Sequence, residues 1–211
     1  MSLRLNGSTS GYVELEAPAT AGSNTLTLPD GNGTSGQYLQ TNGSGALSWQ
    51  TVSASNLTRV SSQSLSGVGS VTFTGIPSTA RVIYLVLDQA SADNTTGGYL
   101  HIRLGDSSGI ETTGYLSNGA FINTASSANS FGSTTGFNLD NNDRGNQHSG
   151  VITIVNQSGN VWCSSGTTTV NNSGFMNAGR KELSGTLTQV QFLTTAGTFD
   201  NGTASLLYEV E

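Results

Sequence analysis

From Val82 to Leu87 the chain reads Val-Ile-Tyr-Leu-Val-Leu, an apolar run of strand length, and apolar and polar residues alternate with a period of two in many shorter stretches. Alternation at that period places one side of a strand on a core and the other in solvent. It predicts strands at Ser70–Phe73, Arg81–Asp88, Tyr99–Leu104, Gly114–Phe121, Gly136–Leu139, Ser149–Val155, Asn160–Cys163, Thr188–Leu193 and Ser205–Val210. Turn chemistry separates them, as at Gly75-Ile-Pro77, Gly105-Asp-Ser-Ser-Gly109, Ser158-Gly159 and Asp200-Asn-Gly202. No window sustains a helical apolar period with caps, so helix is expected to be nearly absent. Strands at this spacing predict an all-β, jelly-roll-like β-sandwich over residues 58–211.

Residues 1–57 read differently. Tyr12–Glu16 and Asn24–Leu28 alternate and stop near Pro18 and Pro29, and Tyr38–Thr41 and Ala46–Trp49 flank Asn42-Gly-Ser-Gly45. Asn and Gly tolerate positive φ, so that last pair is expected to be a hairpin. The Asn-Gly-Ser/Thr triplets at Asn6, Asn32 and Asn42 are unequally spaced and mark turns, not a repeat. Apolar content is thin, chiefly Val13, Leu15, Leu26, Leu28, Leu39, Leu47 and Trp49. A short strand and hairpin segment of this kind buries too little surface to stand alone. Association with other copies of the chain or with another protein is therefore expected for residues 1–57.

Composition narrows the field. Of 211 residues only 9% are charged, and the net charge is −6. The cations Arg4, Arg59, Arg81, Arg103, Arg144, Arg180 and Lys181 are scattered, whereas a phosphate backbone demands clustered ones, so no nucleic-acid partner is expected. No stretch approaches the roughly 18 apolar residues of a membrane helix, so no membrane insertion is expected. Met1-Ser-Leu-Arg-Leu-Asn lacks the apolar core of a secretory leader. The single cysteine, Cys163, cannot form an internal disulfide, in keeping with folding in a reducing cytoplasm. Its apolar neighbours Val161 and Trp162 make it a small buried residue by expectation.

Chemistry-bearing residues are sparse. His101 lies on the side of its strand opposite Leu100, Ile102 and Leu104, which predicts a solvated or interface position. His148 is placed in a loop or at a strand start, and two histidines so far apart make no zinc signature. Asp140-Asn-Asn-Asp143 offers closely spaced oxygens, with Asp140, Asn142 and Asp143 as candidate ligands for calcium. The run lacks the glycine and distal glutamate of an EF-hand loop, and Asp and Asn equally initiate turns. Asp106 and Glu111 could be imagined as a hydrolytic carboxylate pair, yet they share one loop without an aromatic platform and read as turn and solubilising residues. No catalytic residues and no cofactor are expected.

The run Gly11-Tyr-Val-Glu-Leu-Glu-Ala-Pro-Ala-Thr-Ala-Gly-Ser-Asn-Thr-Leu-Thr-Leu-Pro29, continuing to Leu39–Trp49, resembles the N-terminal segment of bacteriophage tail-fibre proteins. Phe73-Thr-Gly-Ile-Pro-Ser78, Leu104–Tyr115, His148-Ser-Gly150, Leu183-Ser-Gly-Thr-Leu187 and Phe199-Asp-Asn-Gly202 are similar to pieces of a domain at the C-terminal end of such fibres. The resemblance implies a homotrimeric short fibre of the virion, made in the host cytoplasm. Its N-terminal segment would join another tail, baseplate or capsid protein, and its distal domain would contact a host receptor, a surface glycan among the candidates. Ser91–Gly98, Thr124–Ser130 and Asn171–Arg180 are the loops expected to carry that contact. A capsid or baseplate decoration protein that stabilises the particle is the alternative role.

Overall fold

The computed structural model describes residues 2–52, 56–93, 98–122, 128–140, 145–171 and 173–210. Among them the chain is all-β and divides into two compact units, Met1–Ala54 and Ser55–Glu211.

The first unit is built of two hairpins. β1 (Leu3–Asn6) pairs with β2 (Tyr12–Leu15), and β3 (Gln37–Thr41) pairs with β4 (Leu47–Thr51). The β3–β4 turn is the expected one: Asn42 Oδ1 accepts from the amides of Ser44 and Ala46, while Gly43 and Gly45 take positive φ. Residues 24–28 do not form the expected strand. Only Thr27 makes a parallel bridge, to Ala46, and Leu26 and Leu28 stay 67% and 68% exposed. With no second neighbour to pair against, alternation alone does not make a strand. No described residue of this unit is buried.

The second unit is a sandwich-like fold of two antiparallel sheets. The larger contains β5 (Leu57–Ser64), β7 (Ala80–Asp93), β10 (Tyr115–Ile122), β11 (Ala128–Ser133), β13 (His148–Ser158), β14 (Val161–Val170), β15 (Ser173–Glu182) and β17 (Thr198–Val210). Their order across the sheet is β11-β10-β15-β14-β13-β7-β17-β5. The smaller has the order β12-β8-β16-β6, with β9 (Gly109–Ile110) beside β8. Here β6 is Ser70–Thr74, β8 is Leu100–Asp106, β12 is Phe137–Asp140 and β16 is Gln189–Thr194. Ile83, Leu85, Leu87, Ile152, Ile154 and Leu206 of the large sheet share one core with Leu100, Ile102, Leu104, Val190 and Phe192 of the small one.

Short β12 is buried at all four positions because it lies against β10 and β15 of the facing sheet. Gly179 makes that approach feasible: a Cβ there would stand 2.6 Å from the Phe137 ring. Such a contact is repulsive and must displace the ring or the backbone.

The outward face of the large sheet follows from register. Its residues form rows across β15, β14, β13, β7 and β17: Arg180–Cys163–Val155–Val82–Glu209, Ala178–Ser165–Thr153–Tyr84–Leu207 and Met176–Thr167–Val151–Val86–Ser205. Cys163 is therefore exposed, not buried as its apolar neighbours suggested, because the pleat sends Trp162 inward and Cys163 out.

The chain joins the sandwich at Leu57, level with Glu209. Antiparallel register then gathers one set of strand ends at the far end: Asp93 and Leu100, Ile122 and Ala128, Asp140 and His148, Val170 and Ser173, Thr194 and Thr198. Of the expected receptor loops, Ser91–Asp93 and Ala128–Ser130 are strand ends, and residues 94–97 and 124–127 lie outside the described residues. Residues 173–180 are no loop at all. They are β15, hydrogen-bonded to a strand on each side.

Replacing Gly179 by Ala should lower unfolding stability by about 1–3 kcal/mol, the cost of overpacking a filled core. Gly174→Ala in the same strand, where a Cβ meets nothing within 4 Å, should change it by less than about 1 kcal/mol. Denaturant titration of both variants checks the difference; equal effects would remove Phe137 from the explanation.

Candidate binding site

Two polar clusters and an open cleft hold most of the chemistry-bearing residues. At the chain-entering end, β8 turns into β9 through Asp106, whose Oδ1 accepts from the Ser108 amide at 2.7 Å. Its Oδ2 accepts from the Ser184 hydroxyl at 2.9 Å, and the same hydroxyl lies 2.8 Å from Glu111 Oε1. The other Glu111 oxygen is bonded to the ammonium of Lys181, a side chain only 5% exposed. Asp106 and Glu111 are thus brought together, but through Ser184 and Lys181 rather than across an open substrate space. The Ser108 amide, then Ser184, hold the Asp106 carboxyl below its ordinary range. Burial pushes Glu111 up, and its bonds from Lys181 and from the Ser184 amide and hydroxyl outweigh that and hold it below. Both carboxylates stay ionised, so neither can serve as the protonated acid that glycoside hydrolysis needs. The cluster ties the β8–β9 hairpin to the segment after β15.

At the far end, Asp140 Oδ2 accepts from His148 Nε2 at 3.0 Å and from Asn146 Nδ2 at 3.3 Å. His148 Nδ1 lies 3.2 Å from the Thr168 hydroxyl. Hydroxyl, imidazole and carboxylate in this order match the roles of a nucleophilic triad. Thr168 and His148 are 4% and 0% exposed, however, so no substrate reaches the hydroxyl. The relay pins the end of β12 to β13 and β14. His148 starts β13, one of the two expected placements. Among the candidate calcium ligands, Asp140 already accepts these bonds, while Asn142 and Asp143 lie outside the described residues. The described residues contain no group of three or more His, Cys, Asp or Glu placed to hold a metal.

The open cleft lies on the outer side of the small sheet. Tyr99, His101, Thr195 and the segment Gly132–Thr135 line a cavity of about 420 Å³. Tyr99 is fixed by two bonds to Thr195, from its amide to Oγ1 at 2.8 Å and from the Thr195 amide to its carbonyl at 2.9 Å. The residue is 42% exposed and its ring stacks on the His101 imidazole, with centroids 5.6 Å apart. His101 does face away from the main core as expected, yet it is 2% exposed. The correction has a simple cause: the turn from β11 to β12 folds over it, and a Cβ on Gly136 would stand 2.8 Å from its own Cβ. Neither ring nitrogen has a hydrogen-bond partner. Burial, then the nearby Arg103 guanidinium, lowers its pKa to about 4.

The cleft therefore presents a partly exposed aromatic residue and several hydroxyl-bearing residues, with the His101 imidazole buried behind Tyr99. Such a lining suits an uncharged polyhydroxylated ligand: C–H faces pack on a ring, and hydroxyls exchange hydrogen bonds with Ser and Thr. Sequence reasoning missed it because the cleft is assembled from three distant segments. Tyr99 and His101, two residues apart on one side of the strand, were its one local trace. No family model, no curated protein and no solved structure matches this chain.

The His101 shift makes a pH prediction. Below the ordinary value of 6.5 the unfolded chain binds a proton that the folded chain refuses until about pH 4. Stability contributed by the neutral ring is complete above pH 6.5 and is lost as pH falls toward 4. At about 1.4 kcal/mol per pKa unit, the change amounts to a few kcal/mol. The difference in unfolding free energy between wild type and His101→Gln, which cannot titrate, should shrink over this window. A difference constant from pH 7 to 4 contradicts the account.

Proposed function

We propose that the chain is a non-enzymatic structural component of a virus particle. In this reading it is a short bacteriophage tail fibre that assembles as a homotrimer and attaches the particle to the host surface. The observation that carries the proposal is the state of the first unit. Leu3, Leu5, Val13 and Leu15 are 58–66% exposed, and no described residue there is buried. Apolar side chains arranged on hairpins without a core demand a cover, either other copies of the chain or another particle protein. Residues 1–57 would then be the attachment segment.

The sandwich fits the receptor-contacting role. The chain joins it at Leu57, and the strand ends flanking its expected receptor loops lie at the opposite end. A rigid sheet scaffold with connections at one end is a common platform for recognition. Tyr99, next to the far strand end at Leu100, lines the cleft, and a neutral sugar ring of a host surface glycan is the ligand that lining suits best.

Electron microscopy of particles carrying a gold-labelled copy tests the reading. Label is expected at the tail, and a variant lacking residues 2–54 should be folded yet missing from particles. Label spread over the shell supports the decoration role instead. A chain absent from assembled particles overturns the proposal.

A further inference from the structure

Two polar groups are left without partners at the Tyr99 cleft. One is the His101 imidazole at its back, 2% exposed, whose ring nitrogens have no hydrogen-bond partner. The other is the guanidinium of Arg103 beside it. Arg103 follows His101 by two residues on the outward side of β8, and its Nε donates at 2.8 Å to the carbonyl of Thr135, a residue of the cleft wall. That bond fixes the plane of the guanidinium and leaves the edge formed by its two terminal nitrogens free. Among the described residues no carboxylate pairs with it.

Its surroundings leave the charge uncompensated. Gln191 and Thr72 stand in register with Arg103 across β16 and β6, and the rows on either side, starting at His101 and Gly105, hold no other charged residue. The one acid of β8, Asp106, falls on the inward side by alternation and accepts from Ser108 and Ser184. Glu111 is paired with Lys181. Arg103 nevertheless reaches the cleft electrostatically, since after burial it is the second cause that depresses the His101 pKa. A partly buried cation is normally paired or bound to a ligand.

We propose that Arg103 is a ligand-binding residue of the cleft and that the glycan it takes is acidic. A neutral ring packs at Tyr99, and a singly charged oxyanion on that ring or the next one, a carboxylate or a sulfate ester, lies against the free edge of the guanidinium. The inference rests on the glycan reading of the cleft and names the class of glycan. Two parallel N–H···O bonds from a fixed fork match either oxyanion. One guanidinium balances one negative charge, whereas a doubly charged phosphate monoester would keep an excess that a chain of net charge −6 opposes. No acidic residue lines the cleft to repel the ligand.

Intact chain is applied to an array of neutral, uronic-acid-bearing and sulfated glycans, and the affinity of each retained glycan is then measured by calorimetry. Acidic glycans should be retained, and each should bind about tenfold or more tightly than the same glycan after methyl esterification of its carboxylates or removal of its sulfate. The treatment that weakens binding tells carboxylate from sulfate, and added salt should weaken the acidic form alone. Arg103→Gln should lose the same factor for the acidic glycan and none for its neutralised form, which also shows that the cleft survives loss of the Thr135 bond. Arg103→Lys should keep part of the factor, and Arg59→Gln, which removes an equal charge from β5 of the large sheet, should keep all of it. Neutral glycans bound as tightly as acidic ones, or an Arg103→Gln variant that weakens both forms equally, overturn the role of Arg103 and leave the glycan reading standing. An array on which the wild type binds nothing overturns both.

Discussion

Burial of the outer half of the smaller sheet is the constraint on which the rest of the sandwich depends. β12 has no outward face to spend on solvent: Phe137, Asn138, Leu139 and Asp140 are all buried. It can sit there only because β10 and β15 offer small residues above it. Tyr115 closes one side, its ring edge-on to Phe137 at 5.2 Å and its hydroxyl bonded to the amide of Leu104. Once β12 is fixed, the turn before it must cross the outer side of β8, and that turn both buries His101 and walls the cleft beside Tyr99.

The polar clusters follow from the same arrangement. Lys181 and Asn177 are inward positions of β15, Lys181 lying over the Tyr115 ring and Asn177 bonded to the Ser164 hydroxyl. A buried ammonium is tolerable only if it is paired, and Glu111 supplies the pair with Ser184 and Asp106 completing the network. His148 likewise finds Asp140 and Thr168. These groups hold the two ends of the sandwich in register, which gives the cleft and the strand ends a fixed frame.

Much of the fold was legible from alternation alone, and β14 and β15 were missed in whole or in part for one reason. β6, β7, β8, β13, β16 and β17 face the apolar core, so their inward positions are Val, Ile, Leu, Phe and Ala, and the pattern shows. β15 faces β12, and its inward residues are Phe175, Asn177, Gly179 and Lys181. The apolar contrast is lost, and the strand reads as a polar loop. β14 beyond Cys163 has Ser164, Gly166 and Thr168 inward and fades for the same reason. β5 is an edge strand with only Val60 and Gln63 turned partly inward. His101 defeated the pattern differently: alternation assigns a side of the sheet, but it does not tell whether another segment crosses that side.

The first unit leaves its apolar surface uncovered, on the hairpins before residue 52. The account holds that association completes this burial, and the absolute mass of the intact chain in solution tests it most directly. Light scattering at micromolar concentration should report a closed oligomer, three chains of 21.7 kDa each. A single chain of 21.7 kDa at that concentration would contradict the account.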